Sequence, residues 1–225
     1  MATLYVVATP IGNLRDMTPR ALEVLRDADI VVAEDTRVSS RLLSHHGVSR
    51  PMRPYHDHNK ERITPALIDE LLDGKTVAVV SDAGTPGIAD PAFYLVRAAR
   101  AAGVTVTPIP GACAAIAALV ASGLPTDRFV FENFLPPKSG KRRTALQRLA
   151  SEKRTVICYE SPHRLLSTLR DMAAVLGDTP VVVARELTKL HEEILRDTPA
   201  RLVAHFEEHS PRGEIVLLFN TSARI

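Results

Sequence analysis

The sequence predicts an α/β fold in two domains, and three observations carry the prediction. Short β-rich apolar runs alternate with amphipathic helical patterns almost from end to end. Polar, turn-prone residues follow the runs in constant phase, as "TPIGN", "EDTR", "HDHN", "SDAGTP" and "PGAC" do. The alternation breaks once, at "GLPTDR" (Gly123 to Arg128), and then resumes. The expected domains are therefore residues 1–123 and 128–225.

In the first domain the β runs are "LYVVA" (Leu4 to Ala8), "IVVA" (Ile30 to Ala33), a weaker one at Met52 to Tyr55, "TVAVV" (Thr76 to Val80) and "VTVTPI" (Val104 to Ile109). The all-apolar stretch Val77 to Val80 suits a strand buried on both faces of a parallel sheet. Thr18 is placed to cap the first helix, Pro19 to open it, and Ala21, Leu22, Leu25 and Ala28 to share its buried face. Gly47 stops the second helix. The domain closes on the small-residue helix "GACAAIAALVASG". In the second, "RFVFENF", a basic helix, "RTVICYE", the helix "SPHRLLSTLRDMAAVLG", "PVVVARE", another helix and "GEIVLLF" continue the alternation.

Composition excludes several classes. The 225 residues are 45% hydrophobic, enough for one large core or two small ones. Aromatics are scarce and Trp is absent, against a surface that stacks many bases. A formal charge of +2 leaves nucleic-acid binding to a local patch rather than a global field. The two cysteines, Cys113 and Cys158, form no C-x-x-C pair, so a disulfide framework or structural zinc is not expected and a reducing cytoplasm is. The amino end shows no basic leader, and no run approaches the ~18 apolar residues of a membrane span, so no membrane association is expected.

The polar clusters point to a cleft lined by strand-end loops of both domains. In "SDAGTPGIADP" Gly84 and Gly87 allow close backbone approach to a guest, and Pro86 and Pro91 restrain the loop; a ligand-free strand-to-helix connection is the plain alternative. No G-x-G-x-x-G and no lysine after the glycines occurs, which argues against dinucleotide and P-loop sites. Glu34 and Asp35 end the second strand, where acids of doubly wound folds meet a ribose hydroxyl; helix capping is the competing reading. His56 and His58 would share a strand face with Asp57 nearby, but spacing fixes no third ligand and no metal site is expected. Arg185, Glu186 and Lys189 bring opposite charges after "VVVA", as cleft residues or as a structural ion-pair network. Lys138, Lys141, Arg142, Arg143 and Arg148 make a basic run that is either a phosphate-binding surface or a solvated helix face.

Taken in order, "TPIGNL", "AEDTR", "HDHN", "SDAGTPGIADP", "PGACAA", "FLPPKS", "YESPHR", "RELTK" and "RGEIVL" resemble the ribosomal RNA small subunit methyltransferase I family, a branch of the tetrapyrrole methylases. The resemblance covers essentially the whole chain. It implies a tetrapyrrole-methylase-like fold, with a five-stranded parallel N-terminal sheet and a mixed-sheet C-terminal α/β domain. It also implies S-adenosylmethionine as donor, a homodimer, and 2′-O-methylation of a cytidine ribose in the decoding region of 16S rRNA, in naked rRNA or the small subunit. Carried over by motif, Pro10, Ala83, Gly84, Thr85, Ile88, Cys113, Ala114, Tyr159 and Leu187 would surround the donor. Glu186 would act as base, with Lys189 and Arg185 at the phosphate or hydroxyl. Glu34, Asp35 and Arg37 would organise the cleft, His56 and Asn59 the target nucleotide, and Lys141, Arg142 and Arg143 the RNA phosphates. Asn133 and Ala92 stand where members of that family commonly have Gly, and many members continue into a small helical domain beyond the point where "LLFNTSARI" ends. A superfamily methylase for a corrinoid or other small molecule, and a non-enzymatic RNA-binding or assembly protein, are the alternative functions.

Overall fold

Continuous burial along the apolar runs, as at Ile30–Ala33 and Val77–Val80, decides the architecture of the computed structural model, which describes residues 3–222. Residues 1–2 and 223–225, the outer ends of the two expected domains, lie outside the described residues. The chain divides into two compact units between Cys113 and Ala114.

The first unit contains strands β1 (Thr3–Val7), β2 (Ile30–Ala33), β3 (Met52–Pro54), β4 (Thr76–Val80) and β5 (Thr105–Ile109), with helices α1 (Pro19–Asp27), α2 (Thr36–His45), α3 (Lys60–Leu72) and α4 (Ala92–Ala101). The strands pair in the order β3-β2-β4-β1-β5, all parallel. Successive residues of a strand face opposite sides, so Val31, Ala33, Ala78 and Val80 pack with Leu25 of α1 and Leu42 of α2. Ile30, Val32, Val77 and Val79 pack instead with Leu67 and Leu71 of α3 and Leu95 of α4. Each fully buried Val or Leu contributes about 1.5–3 kcal/mol. A one-residue slip would exchange the two faces, so the register is strongly specified.

The helices start where local chemistry allows. The Thr18 hydroxyl accepts from the Ala21 N–H at 3.2 Å, with Pro19 opening α1. The Asp35 carboxylate caps α2 by accepting from the Arg37 N–H at 2.8 Å. Gly47, at φ +65°, follows the end of α2.

The second unit holds α5 (Ala114–Ala121), β6 (Phe129–Phe134), α6 (Ser139–Leu149), β7 (Thr155–Glu160), α7 (Pro162–Leu176), β8 (Val181–Arg185), β9 (Glu193–Asp197), α8 (Pro199–Glu208) and β10 (Ile215–Phe219). Its sheet runs β6-β7-β10-β8-β9, with β6 parallel to β7 and the remaining pairs antiparallel. Cys158, Val183 and Leu217 form one core with Leu146 of α6, Leu165 and Leu169 of α7 and Phe206 of α8. On this division α5 groups with the second unit, whereas its sequence pattern had attached it to the first. Its Ala115, Ala118 and Leu119 are buried, and the helix lies against β7 and β10. The strand β9 also departs from the expected helix-only connection after "PVVVARE".

Candidate functional site

The carboxyl edge of the parallel sheet collects the loops that follow β1, β4 and β5. Thr9 and Gly84 exchange backbone hydrogen bonds, Thr9 N–H to Gly84 O at 2.9 Å and Gly84 N–H to Thr9 O at 3.1 Å. The Thr85 hydroxyl donates to Ala112 O at 3.0 Å, tying the β4 loop to the loop that ends at Cys113. Gly84 has φ +83°, and a Cβ on Gly111 would stand 2.8 Å from the Ala8 Cβ, closer than side chains tolerate. Pro10, Ala83, Gly84, Thr85 and Cys113 are thereby gathered on connected loops, with Ile88 exposed on the same β4 loop. Small side chains leave main-chain donors and acceptors as the chemistry of this edge, and such a lining fits a ligand with adenosine and amino-acid parts.

An acidic group sits on the same edge. Asp90 accepts from Gly87 N–H and Ala92 N–H, both at 2.8 Å to Oδ1, and so locks the β4 loop to the start of α4. Asp82 accepts from the Asp35 N–H at 2.9 Å. Burial first, then Asp82, Asp90 and Asp57, push the Glu34 carboxyl above its usual range. Asp90 is likewise pushed up, chiefly by burial. Asp35 is the α2 cap and the partner of Arg37, whose hydrogen bond lowers its pKa to about 2.

The residues of "HDHN" lie in a turn beyond β3, so His56 and His58 do not share a strand face; their rings are 6.0 Å apart. Asn59 is buried, its Oδ1 accepting from His56 N–H at 2.9 Å and its Nδ2 donating to Pro54 O at 3.0 Å. That makes it first of all the brace of the turn that presents His56. Among the described residues no group of three or more His, Cys, Asp or Glu is placed to hold a metal, and no helix is long and apolar enough to cross a membrane.

In the second unit "RELTK" and "RGEIVL" interlock. Glu186 and Thr188 have φ of 51° and 67°, a left-handed backbone that costs on the order of 1–3 kcal/mol per residue. The Glu186 carboxylate accepts from Lys189 Nζ at 2.7 Å and from Glu214 N–H at 3.2 Å. A Cβ on Gly213 would occupy the space of that carboxylate. The Lys189 hydrogen bond holds Glu186 below the usual carboxylate range, against the opposing pull of burial. Burial disfavours the Lys189 charge, but Glu186 and Glu214 outweigh it and raise its pKa. Arg185 pairs with Glu193 at 2.5 Å, and Leu187 is buried. Tyr159, next to last in β7, lies beside Phe131 and Phe134, ring centroids 5.0 and 5.8 Å away. Ala114 opens α5.

The basic run meets acids that its sequence neighbourhood does not contain. Arg142 is buried, its Nε donating to Asp171 of α7 at 2.7 Å, so its role is to join α6 to α7 rather than to meet RNA phosphates. Arg143 also reaches Asp171, at 2.6 Å, and Arg148 pairs with Glu132. Lys138 and Lys141 remain exposed. Asn133 has φ 61° at a shift of register in β6, a conformation Asn tolerates, whereas Ala92 lies in the first turn of α4 and the positive φ falls on Ala89. The residues the sequence reading missed are Thr9, Asp82 and Asp90. The signal for Thr9 and Asp82 was position just after a strand, shared with the residues it did select, and that for Asp90 was a carboxylate two residues before a helix.

A profile of the family described as Tetrapyrrole (Corrin/Porphyrin) Methylases matches residues 3–203. A protein of Synechocystis sp. named ribosomal RNA small subunit methyltransferase I is 53% identical over 219 residues, covering 97% of this chain and 78% of that one. A Haemophilus influenzae protein of the same name is 52% identical over 218 residues, covering 96% and 77%. Among solved structures, a diphthine synthase superposes with a TM-score of 0.75 at 17% identity, covering 97% of this chain and 90% of that chain, a likeness of fold.

Proposed function

The chain belongs to the tetrapyrrole methylase family, among relatives named ribosomal RNA small subunit methyltransferase I, and on that premise we propose that it is an S-adenosylmethionine-dependent rRNA methyltransferase. The acceptor in this reading is the ribose 2′-hydroxyl of a cytidine in the decoding region of 16S rRNA. The observation that carries it is the identity to those relatives along nearly the whole chain. The tied loops at Thr9, Gly84 and Thr85 support a site for the donor, with Pro10, Ala83, Ile88 and Cys113 around it. Ala114, Tyr159 and Leu187 are assigned to the same ligand.

The donor, when bound, supplies a methyl group on a sulfonium. The protein's task is to align the acceptor oxygen and to receive its proton as the C–O bond forms and the C–S bond breaks. Alignment alone is worth about 7–11 kcal/mol of barrier. Glu186 is assigned to the proton and Lys189 to the charge that develops on the oxygen; a positioned base contributes roughly 10²–10⁴-fold. Glu186 is a carboxylate at neutral pH and can accept, and the hydrogen bond from Lys189 reduces its proton affinity. Arg185, Arg37, Lys141 and Arg143 are assigned to phosphates, His56 to the target nucleotide, Asn59 to bracing it, and Glu34 and Asp35 to the cleft. A cytoplasmic homodimer completes the reading.

Transfer of labelled methyl to small ribosomal subunits lacking this modification, followed by nuclease mapping, tests it. Label in a 2′-O-methylcytidine of the decoding region is expected. Measurable donor binding with no transfer to subunits or to naked 16S rRNA would overturn it. Full single-turnover transfer by Glu186→Gln at normal donor affinity would remove Glu186 as base.

A further inference from the structure

We infer that the outer face of α2, with the groove between it and β3, holds the sugar–phosphate backbone of a single RNA strand. The inference rests on the RNA-methylating reading above and gives that substrate a path across the first unit.

Arg37, Ser40, Arg41 and Ser44 follow one another at i, i+3, i+4 and i+7, one stripe of a helix, and all four are exposed. The opposite stripe, Ser39, Leu42 and Leu43, is buried. The exposed stripe, with Thr36 and Met52, lines an open groove of about 630 Å³. No carboxylate lines the groove, and the helix sequence "TRVSSRLLSH" contains none. An ordinary solvated helix face mixes the two signs of charge. This one presents only guanidinium and hydroxyl groups, which donate hydrogen bonds to an anion.

The spacing suits a strand. Arg37 and Arg41 are one turn apart, about 6 Å along the axis, a step that lets neighbouring phosphates be met in succession. Asp35, at the amino end of α2, takes the Nε and Nη2 of Arg37 and holds the guanidinium in one orientation, leaving Nη1 for a phosphate oxygen. The helix begins at the carboxyl end of β2, the sheet edge that carries Glu34 and the donor-loop residues, so the groove leads away from that edge. Protein–protein interfaces are built around an apolar, aromatic-rich core poor in Ser, whereas this lining has no aromatic, two serines and Met52 as its one large apolar side chain. The composition of the groove therefore favours a polyanion over a protein.

The test is the salt dependence of binding to purified small ribosomal subunits for the wild type, Arg41→Ala, Arg41→Lys and Ser40→Ala/Ser44→Ala. For Arg41→Ala the log–log slope should become shallower by about 0.7, the loss of one phosphate contact on a single strand. Arg41→Lys should keep the slope, and the serine pair should weaken binding at every salt concentration without changing it. Donor affinity should be the same in all four proteins. If the wild type binds and methylates the subunit and Arg41→Ala shows the same slope, the groove assignment falls while the functional reading stands. If the wild type shows no salt-dependent binding, both fall. If Arg41→Ala changes the sedimentation of the protein but not its RNA slope, the face is a protein interface and the inference is overturned.

Discussion

Glu186 owes its place to a glycine far away in sequence. Gly213→Ala would demand a side chain where the Glu186 carboxylate lies, at a backbone φ of +82° that disfavours Cβ. The expected result is a loss of roughly 1–3 kcal/mol in chemical denaturation together with a large fall in single-turnover transfer, since both the Lys189 contact and the carboxylate must move. Asp90 offers a contrast. Its pKa is raised above 3.8, so the folded state binds its proton more tightly than the unfolded chain and its contribution to stability declines as pH rises through the folded pKa. Asp90→Asn keeps an oxygen for the Gly87 and Ala92 amides and loses the buried charge. Its melting temperature at pH 7 should equal or exceed that of the wild type, with the difference shrinking toward pH 4. Asp90→Ala orphans both amides and should cost about 1–3 kcal/mol. The sequence displayed Gly213 and Asp90 plainly enough, yet what each accommodates depends on atoms brought in by the fold.

At the scale of elements, the joint between α6 and α7 is set by one carboxylate. Burial pushes Asp171 up, but hydrogen bonds from Arg143, Ser139 and Arg142 outweigh it and hold the group below 3.8. The stability it supplies is present above the unfolded value of 3.8 and lost as pH falls through the lower folded pKa. Asp171→Asn should accordingly flatten the acid limb of the stability curve below about pH 4, read by urea titration at a series of pH values. Arg142→Ala should cost about 1–3 kcal/mol by taking from Asp171 its buried partner while Arg143 and Ser139 stay in reach, whereas Lys141→Ala one residue earlier should stay within about 0.5 kcal/mol. The basic run was legible as a run. Which cation turns inward was not, because Asp171 lies on another helix and the run's own neighbourhood is free of acids. The parallel strands and the cap at Thr18 were legible, since β-branched runs and capping residues act locally, while capping at Asp35 stood beside a ribose-binding reading that local sequence does not decide. The strand β9, "EILRD", was hidden because its five positions carry three charges and show no period of two, and its identity comes from pairing with β8.

For the molecule as a whole, a nearly neutral chain must place its charge locally, and α2 does so without raising the total above +2. Donor binding should stabilise the folded chain by about 2.7 kcal/mol at one hundred times the dissociation constant, so calorimetry with S-adenosylmethionine should show a concentration-dependent rise in melting temperature. No such rise would remove the donor from the reading. The outermost strands of the two sheets have a further consequence. β3 ends in Pro54, β5 contains Pro108, β6 is broken by the irregularity at Asn133, and β9 carries Glu193, Arg196 and Asp197. Proline removes a ladder donor, a bulge twists the template away, and charge resists stacking of copies. Neither sheet can readily recruit a foreign strand, so the chain is protected against runaway edge-to-edge polymerisation, and association with another molecule is left to its helices and loops.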